Sequence, residues 1–212
     1  MLDDQLKEQI KKKFSKELKG DVKLILFGKD DECTFCLEYM ELVEELAGLS
    51  DLLSAEHHPI SSAEAKEHRI ELAPTLLIYS LEHKTGAAFC GPPGNHFFPV
   101  LLEDIVDASR GGPTLSKDLI EKAKAIDFSV RLRVFVSQSC PYCPPAVKVA
   151  HDFSLLNPKI HSEMIDGALF PQLRQQYRVM GVPKTIINDK IAVSGAQPAG
   201  EVLSQILRLK EL

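Results

Sequence analysis

The chain contains two copies of one ordered pattern, and this repeat constrains the fold more than any other feature. Each copy has a short apolar stretch and then a Cys-x-x-Cys motif: "VKLILFG" precedes Cys33 and Cys36, and "VRLRVFV" precedes Cys140 and Cys143. Farther along, "HRIELAPTLLIY" matches "YRVMGVPKTIIN", with a proline at the same place in both. The cysteines are offset by 107 residues and the prolines by 109. The offset between matching residues changes by only two, and the motifs keep their order, which indicates a duplicated domain.

Both copies predict the same series of elements. Short runs rich in β-branched and aromatic residues predict buried strands, and apolar residues at every third or fourth position predict helices. Each copy then consists of one helix followed by β-α-β-α-β-β-α. A β-α-β unit joins parallel strands by a right-handed crossover, and the closing β-β can only be a hairpin. We therefore predict an α/β fold with a mixed sheet in each copy, covered by helices on both faces.

A short linker separates the copies. The segment "SRGGPTLS" contains Gly111, Gly112 and Pro113, and glycine and proline interrupt regular structure. Residues 1–112 form the first predicted unit and residues 113–212 the second. We expect the two sheets to join edge to edge, since small units with open sheet edges need to cover them.

Each Cys-x-x-Cys motif lies where a predicted strand leads into a predicted helix, roughly 34–49 in one copy and 142–155 in the other. The first four N–H groups of a helix lack partners within it, and with the helix dipole they stabilise negative charge. A cysteine placed there ionises more readily, and the thiolate is the nucleophile of thiol–disulfide exchange. Pro141 fits the first helical turn, because proline lacks an N–H and its fixed φ suits that position. The motif therefore predicts dithiol redox chemistry.

Two other uses of the cysteine pairs remain open. Four cysteines could form one zinc site, but 103 residues separate Cys36 from Cys140, against about 15–20 in a zinc ribbon. A purely structural disulfide is disfavoured because a two-residue loop constrains little chain entropy. Cys90 stands alone on an apolar strand, so we interpret it as a small buried side chain that the chemistry does not need.

Composition disfavours several other classes. The net charge of −5 and the pI near 5.8 give no reason to expect nucleic-acid binding. The N-terminal "MLDDQLKEQIKKKF" lacks the apolar core of a signal peptide. No apolar run approaches the roughly 20 residues that cross a bilayer. We therefore expect a soluble, cytoplasmic protein without a membrane partner, in which paired cysteines are catalytic or metal-binding.

In combination, these motifs resemble the thioredoxin/glutaredoxin superfamily. The sequence "CPYC" carries the glutaredoxin-type dipeptide, and the proline that opens a strand some forty residues later completes the pattern. Two such units in one chain resemble the glutaredoxin-like protein disulfide oxidoreductases of thermophilic archaea and bacteria. The resemblance implies two tandem thioredoxin-like units, each a mixed four-stranded sheet flanked by helices. It also implies an enzyme that reduces, forms or isomerises protein disulfides.

Carried over by position, the resemblance makes Cys33 and Cys140 the attacking thiols, and Cys36 and Cys143 the resolving thiols. It implies no bound cofactor or metal, protein disulfides as substrates, and electrons from an NADPH-linked, thioredoxin reductase-like flavoprotein. Glutathione-using glutaredoxins carry a Gly-Gly-x-Asp-type segment before the last helix. The matching stretches here, "CGPPGNH" and "SGAQPAG", lack that carboxylate, which argues against glutathione dependence.

The resemblance also implies that Pro74 and Pro183 follow cis peptide bonds. Residue spacing alone left this open, because cis bonds occur chiefly before proline, but a trans proline is also tolerated at the first residue of a strand. A cis-proline turn would expose the backbone of Ala73 and Val182. Both residues could then pair with a strand of the substrate.

A second family has a similar layout. The tandem N-terminal module of alkyl hydroperoxide reductase flavoproteins implies a dithiol carrier that passes electrons from a flavin reductase to a peroxidase. That family keeps its thiol pair only in the second unit, whereas both pairs are present here, which favours a stand-alone oxidoreductase. A non-redox metal-binding module is the remaining alternative.

The two pairs differ in the charges around them. Three carboxylates at 30–32 directly precede Cys33, and nearby carboxylates raise the pKa of a cysteine. The residues just before Cys140 are uncharged, and Lys148 follows on the predicted helix. We therefore predict that Cys140 ionises at lower pH than Cys33 and that the second pair carries most of the activity. The two sites would be equivalent if the acidic side chains point into solvent.

Overall fold

The structure, a computed structural model, describes residues 2–29 and 34–211, with the side chains at 34–36 outside the description. No helix in these ranges is long and apolar enough to cross a membrane. Both copies contain the predicted series of elements, and the second copy repeats the first. The elements are α1 (Asp4–Glu17), β1 (Val22–Gly28), α2 (Thr34–Ala47), β2 (Leu53–Pro59), α3 (Ala63–Glu67), β3 (Thr75–Ser80), β4 (Gly86–Cys90), a 3-10 helix (Asn95–Phe97), α4 (Phe98–Ser109), α5 (Lys117–Lys124), β5 (Val130–Val136), α6 (Cys143–Leu156), β6 (Ile160–Asp166), α7 (Pro171–Gln176), β7 (Lys184–Ile187), β8 (Ile191–Ser194), α8 (Ala199–Leu207) and a final 3-10 turn (Arg208–Glu211).

The strands form a single mixed sheet in the order β2-β1-β3-β4-β6-β5-β7-β8. The strands of the first copy occupy one half of the sheet and those of the second copy the other half. The halves meet where β4 pairs with β6 in parallel, with Ala88 beside Glu163. The predicted fold of two mixed four-stranded sheets flanked by helices is confirmed, and the sheets join edge to edge. The boundary after residue 112 stays a prediction.

Helices cover both faces of the sheet. Successive side chains of a strand point to opposite faces, so Leu24 and Leu26 of β1 enter the large core, whereas Ile25 and Phe27 enter a smaller one. Residues of α1, α2, α4, α5, α6 and α8 line the large core, and Ala65 of α3 lies in the smaller one. Strands buried on both faces read as nearly continuous apolar runs, which explains why they are recognisable in the sequence.

Helices α4 and α6 belong to different copies and pack through a buried group of charges. Lys148 Nζ of α6 lies 3.5 Å from an Asp104 oxygen and 2.7 Å from an Asp107 oxygen, and it also contacts Asp152. His151 Nδ1 lies 2.6 Å from the other Asp104 oxygen, and both side chains are fully buried. Burial alone would lower the pKa of Lys148, but the three carboxylates outweigh it and raise that pKa. We call these five residues the α4–α6 charge cluster.

The linker between α4 and α5 depends on glycine. Gly111 and Gly112 have φ values of +80° and +132°, in the region that favours residues without a Cβ. A Cβ on Gly112 would also lie 2.7 Å from a methyl carbon of Leu156 on α6. The linker therefore lies directly on the second copy.

Candidate active site

Cys140 and Cys143 form a disulfide where β5 leads into α6. Cys140 N donates to Ser137 O at 3.0 Å, and Cys143 N donates to Cys140 O at 3.4 Å. Two successive tight turns therefore carry the chain from the end of the strand into the helix. The two Cα atoms are 5.5 Å apart, inside the range of about 4.4–6.8 Å that disulfides span.

The two cysteines differ in exposure. Cys143 is fully buried, whereas Cys140 lies half-buried at the margin of the large core. The side chain of Tyr142, between them, is 75% exposed. An attacking thiol must reach the sulfur of a substrate, whereas a resolving thiol need reach only its partner. The geometry therefore suits Cys140 for attack and Cys143 for resolution.

The first turn of α6 differs from the expected arrangement. The helix begins at Cys143 and its first turn contains Pro144 and Pro145, while Pro141 lies in the preceding turn. The expectation of Pro141 in the first helical turn is therefore wrong. The two later prolines are tolerated because N–H groups in the first turn have no acceptor within the helix.

Both Cys-x-x-Cys motifs follow strands whose carboxyl ends lie on the same side of the sheet, called here the shared sheet edge. Strands β1, β4, β6 and β5 all run in one direction, as their pairings show. Four interstrand steps separate β1 from β5, about 19 Å at roughly 4.8 Å a step. Cys33 and the side chain of Cys36 lie outside the described residues, so their predicted roles stay predictions.

One of the two observations behind the predicted lower pKa of Cys140, the charge of Lys148, has a different explanation in the structure. Lys148 belongs to the α4–α6 charge cluster, where three carboxylates neutralise its ammonium. These ion pairs argue against its interpretation as a cation that favours the Cys140 thiolate, which stays a prediction. The carboxylates at 30–32 lie outside the described residues, so their effect on Cys33 stays a prediction.

The peptide bonds Ala73–Pro74 and Val182–Pro183 are both cis, as the resemblance implied. Strands β3 and β7 begin directly after these prolines and pair antiparallel with β1 and β5, the strands that lead to the cysteines. Each cis bond therefore lies beside the carboxyl end of a strand that leads to a Cys-x-x-Cys motif. Ala73 and Val182 are half-buried, and their contact with substrate stays a prediction.

Gln138 joins the second site to the first copy, a role that the sequence did not reveal. Its Nε2 donates to Pro92 O and to Asp166 Oδ2, both at 3.0 Å. These partners are 46 and 28 residues away along the chain. A single amide side chain forms no motif and no periodic pattern, so only the tertiary contacts identify it.

Cys90, the last residue of β4, is 1% exposed and free of disulfide bonds. Burial raises the pKa of its thiol well above the ordinary value, and a buried neutral thiol is a poor nucleophile. Its interpretation as a small buried side chain is confirmed.

The described residues contain one group of carboxylates with the spacing of metal ligands, formed by Asp104, Asp107 and Asp152. Lys148 already contacts all three of them. Metals bind the thiolate form of cysteine, and the sulfurs of Cys140 and Cys143 are bonded to each other. The observed state of this pair favours redox chemistry over metal binding.

Comparison with known proteins agrees with this geometry. Residues 130–208, which include the disulfide, match the family model Thioredoxin_3, described as a thioredoxin domain. The structure of the alkyl hydroperoxide reductase protein AhpF of Enterococcus faecalis matches with a TM-score of 0.86 and 25% identity, over 97% of this chain and 99% of that one. The protein is a tandem thioredoxin-fold chain. A protein disulfide oxidoreductase from Aeropyrum pernix also matches this tandem thioredoxin fold with a TM-score of 0.86 and 24% identity, over 100% of this chain and 95% of that one.

Curated relatives of this tandem thioredoxin-fold chain are larger proteins. The alkyl hydroperoxide reductase protein AhpF of Staphylococcus aureus is 28% identical over 207 residues, which are 97% of this chain and 38% of the relative. A protein named NADH dehydrogenase, from Ferdinandcohnia aciditolerans, is 28% identical over 206 residues, 97% of this chain and 37% of the relative. The chain therefore spans less than two fifths of the length of these relatives.

Proposed function

We propose that this chain is a thiol–disulfide oxidoreductase that acts on protein disulfides through Cys140 and Cys143. The disulfide between them carries the proposal, because it joins a half-buried and a fully buried cysteine at the start of a helix. The thioredoxin-domain match over these residues supports it, and so does the fold shared with a named protein disulfide oxidoreductase.

In the reducing direction, the reaction starts from the dithiol. The Cys140 thiolate attacks one sulfur of a substrate disulfide, which forms a mixed disulfide and releases one substrate thiolate. The Cys143 thiol, after losing its proton, attacks the Cys140 sulfur and releases the second substrate thiolate. Two electrons pass to the substrate, and the Cys140–Cys143 disulfide seen here is the oxidised product. Oxidation of a substrate dithiol follows the same steps in reverse.

The helix N-terminus supplies the electrostatics of this step. Unpaired N–H groups and the helix dipole act within about one turn of the helix end, and Cys140 lies just before α6. The substrate would pair with the backbone of Val182, beside the end of β5, and with that of Ala73 in the first copy. Cys33 would attack and Cys36 would resolve at a second site on the shared sheet edge.

The regenerating electrons would come from an NADPH-linked flavoprotein, with no cofactor bound by this chain. A second candidate function follows from the relatives, which include AhpF proteins of several Staphylococcus aureus strains. In that case the chain would carry electrons from a flavoprotein reductase to a peroxidase rather than to diverse protein disulfides.

Insulin reduction, followed by turbidity with limiting dithiothreitol, tests the proposal. The starting variant carries Cys33→Ser and Cys36→Ser, so that only the second pair remains, and it should retain activity. Adding Cys140→Ser should abolish that activity, whereas adding Cys143→Ser should trap a mixed disulfide with a substrate thiol, visible by mass spectrometry. A native chain no faster than dithiothreitol alone would contradict the proposal. Activity with a peroxidase and a flavoprotein reductase, but not with insulin, would favour the carrier function.

A further inference from the structure

The loop after β4, residues 91–94, lies between the carboxyl ends of β1 and β5, the strands that lead to the two Cys-x-x-Cys motifs. It contacts the first copy through Gly91: Tyr39 Oη, on α2, donates to Gly91 O at 3.2 Å, and Gly91 N donates to Pro74 O at 3.0 Å. Tyr39 is 2% exposed. Residues 91–94, called here the 91–94 loop, are thus held by the cysteine-bearing helix and the cis proline of the first copy.

The same loop contacts the turn before Cys140 through Gln138. The side-chain amide of Gln138 donates to Pro92 O of the loop and to Asp166 Oδ2 at the end of β6. A flipped amide would place its oxygen against these two acceptor oxygens, so the observed orientation is the favourable one. A Cβ at Gly94 would lie 3.8 Å from Gln138 Oε1, which shows that the side chain also packs along the loop.

We propose that Gln138 is a positioning residue that makes the first copy part of the Cys140–Cys143 site. It ties the turn before Cys140 to a loop whose position the first copy determines. The inference rests on the proposed function. It adds that contacts of the first copy influence the reactivity of Cys140 in the second. The electrostatic effect of a helix N-terminus falls off within one turn, so a small displacement of this turn changes how well the helix stabilises the thiolate.

Asp166 gives this influence an electrostatic component. Its carboxylate accepts from Gln138 Nε2 at one oxygen and from Ala168 N, at 2.9 Å, at the other. It is 7% exposed, so it has little solvent to replace a lost donor. Without Gln138, one oxygen of this anion loses its protein donor beside the turn that carries Cys140, and a negative charge near a cysteine opposes its ionisation.

The test measures the alkylation rate of Cys140 by iodoacetamide in the reduced full-length chain, resolved by peptide mass spectrometry, as a function of pH. Gln138→Met keeps the length of the side chain and removes its amide. We expect Cys140 to react about threefold to tenfold more slowly at neutral pH, which corresponds to a rise of about half to one unit in its midpoint. Gln138→Glu, which places a second carboxylate against Asp166, should slow it further.

Gln205→Met is the matched control. Gln205 is a half-buried glutamine of α8 whose Nε2 donates to Glu201 Oε1 at 2.8 Å, far from Cys140 in the chain, and its replacement should leave the Cys140 rate unchanged. Thermal unfolding of each variant verifies that it is folded. If Gln138→Met does not fold, Gln138→Asn, which keeps a shorter amide, takes its place. A folded Gln138 variant with the native rate and midpoint would overturn the proposal, and so would an equal change in the control.

Tyr39→Phe tests the link to the first copy, because it removes the hydroxyl that holds Gly91. It should slow Cys140 in the same direction, and its effect combined with Gln138→Met should be less than the product of the two single effects. Effects that multiply would show that the two contacts act separately and would refute this link. Insulin reduction is measured in parallel: a native chain that fails there contradicts the proposed function, while the alkylation rates still decide the role of Gln138.

Discussion

Three cysteines of this chain have the same side chain and three different environments. Cys140 is half-buried at a helix N-terminus, Cys143 is buried behind it, and Cys90 is buried at the end of a strand. Thiolate formation needs stabilisation of charge. Desolvation opposes it at Cys90, where burial raises the pKa. Reactivity is therefore decided by the position of a cysteine in the fold.

At the residue scale, we predict that Cys90→Ser leaves insulin reduction close to that of the native chain. The Cys90 thiol lies buried in a core cluster with Phe135 and Ile165, where no substrate sulfur can reach it. Cys90→Ala serves as a second variant, because a buried serine hydroxyl can destabilise the core. A loss of activity in both variants as large as that caused by Cys140→Ser would contradict the prediction.

At the element scale, α6 does two separate tasks. Its N-terminus presents the disulfide, and its middle turns form the α4–α6 charge cluster with the first copy. Burial raises the pKa of Asp152 to about 6, and the neighbouring carboxylates that crowd around one ammonium add to the rise. The cluster thus depends on Lys148 for charge balance. The N-terminus of α6 therefore carries the disulfide, whereas its middle turns carry the ion pairs that stabilise the contact with α4.

We predict that Lys148→Met lowers the free energy of unfolding by about 3–5 kcal/mol, the usual effect of removing one partner of a buried ion pair. It should leave the pH midpoint of Cys140 alkylation unchanged, because the carboxylates left without the ammonium take up a proton in its place; burial and their mutual repulsion already raise the pKa of Asp152 to about 6. Urea unfolding and the alkylation assay measure the two quantities. Lys117→Met, at a side chain that is 91% exposed on α5, should change neither. A clear rise of the Cys140 midpoint in Lys148→Met would restore Lys148 as a determinant of thiolate stability.

At the scale of the whole molecule, a second charge network spans the two copies on the opposite face of the sheet. Glu71 of the first copy lies 2.8 Å from Arg131 of β5, which forms two hydrogen bonds with Glu163 of β6. Burial alone would raise the pKa of Glu163, but the adjacent His161 and the hydrogen-bonded Arg131 outweigh it and lower that pKa to about 2. The joint between the two copies is thus ionic on this face.

The lowered pKa of Glu163 gives stability that is present above about pH 4.5 and is lost as the pH falls toward 2. We predict that Glu163→Gln lowers the free energy of unfolding at neutral pH by about 3–5 kcal/mol, because Arg131 and Arg133 both lose their buried carboxylate. The difference between variant and native chain should shrink as the pH falls through this window, in urea unfolding measured at each pH. Glu71→Gln, at a side chain that is 59% exposed, should have a small effect at every pH. A difference that does not vary with pH would contradict the prediction.

The sequence by itself determined the elements and the position of the Cys140–Cys143 pair at the start of a helix. Strands β1 and β5 begin and end where the mostly apolar runs do, at Val22–Gly28 and Val130–Val136, because strands buried on both faces need apolar residues at most positions. Ser116 is the N-cap of α5 and its hydroxyl accepts from Leu119 N, the contact for which serine is favoured at this position. The cysteines of the second site were predictable because the motif, the strand and the helix are adjacent in the chain. A duplicated pattern also allowed each copy to support the interpretation of the other.

Only the tertiary structure decided what the charged and polar side chains do. Lys148 lies eight residues after Cys140 in the sequence, yet its charge is neutralised mainly by carboxylates of α4 and α6. Gln138 gained its role from Pro92 and Asp166, which approach it because β4 pairs with β6 and β6 with β5. Apolar burial follows periodic patterns that a sequence displays, since it requires only that a residue face the core. A hydrogen bond or an ion pair depends on one particular partner, and here folding supplied that partner from a distant part of the chain.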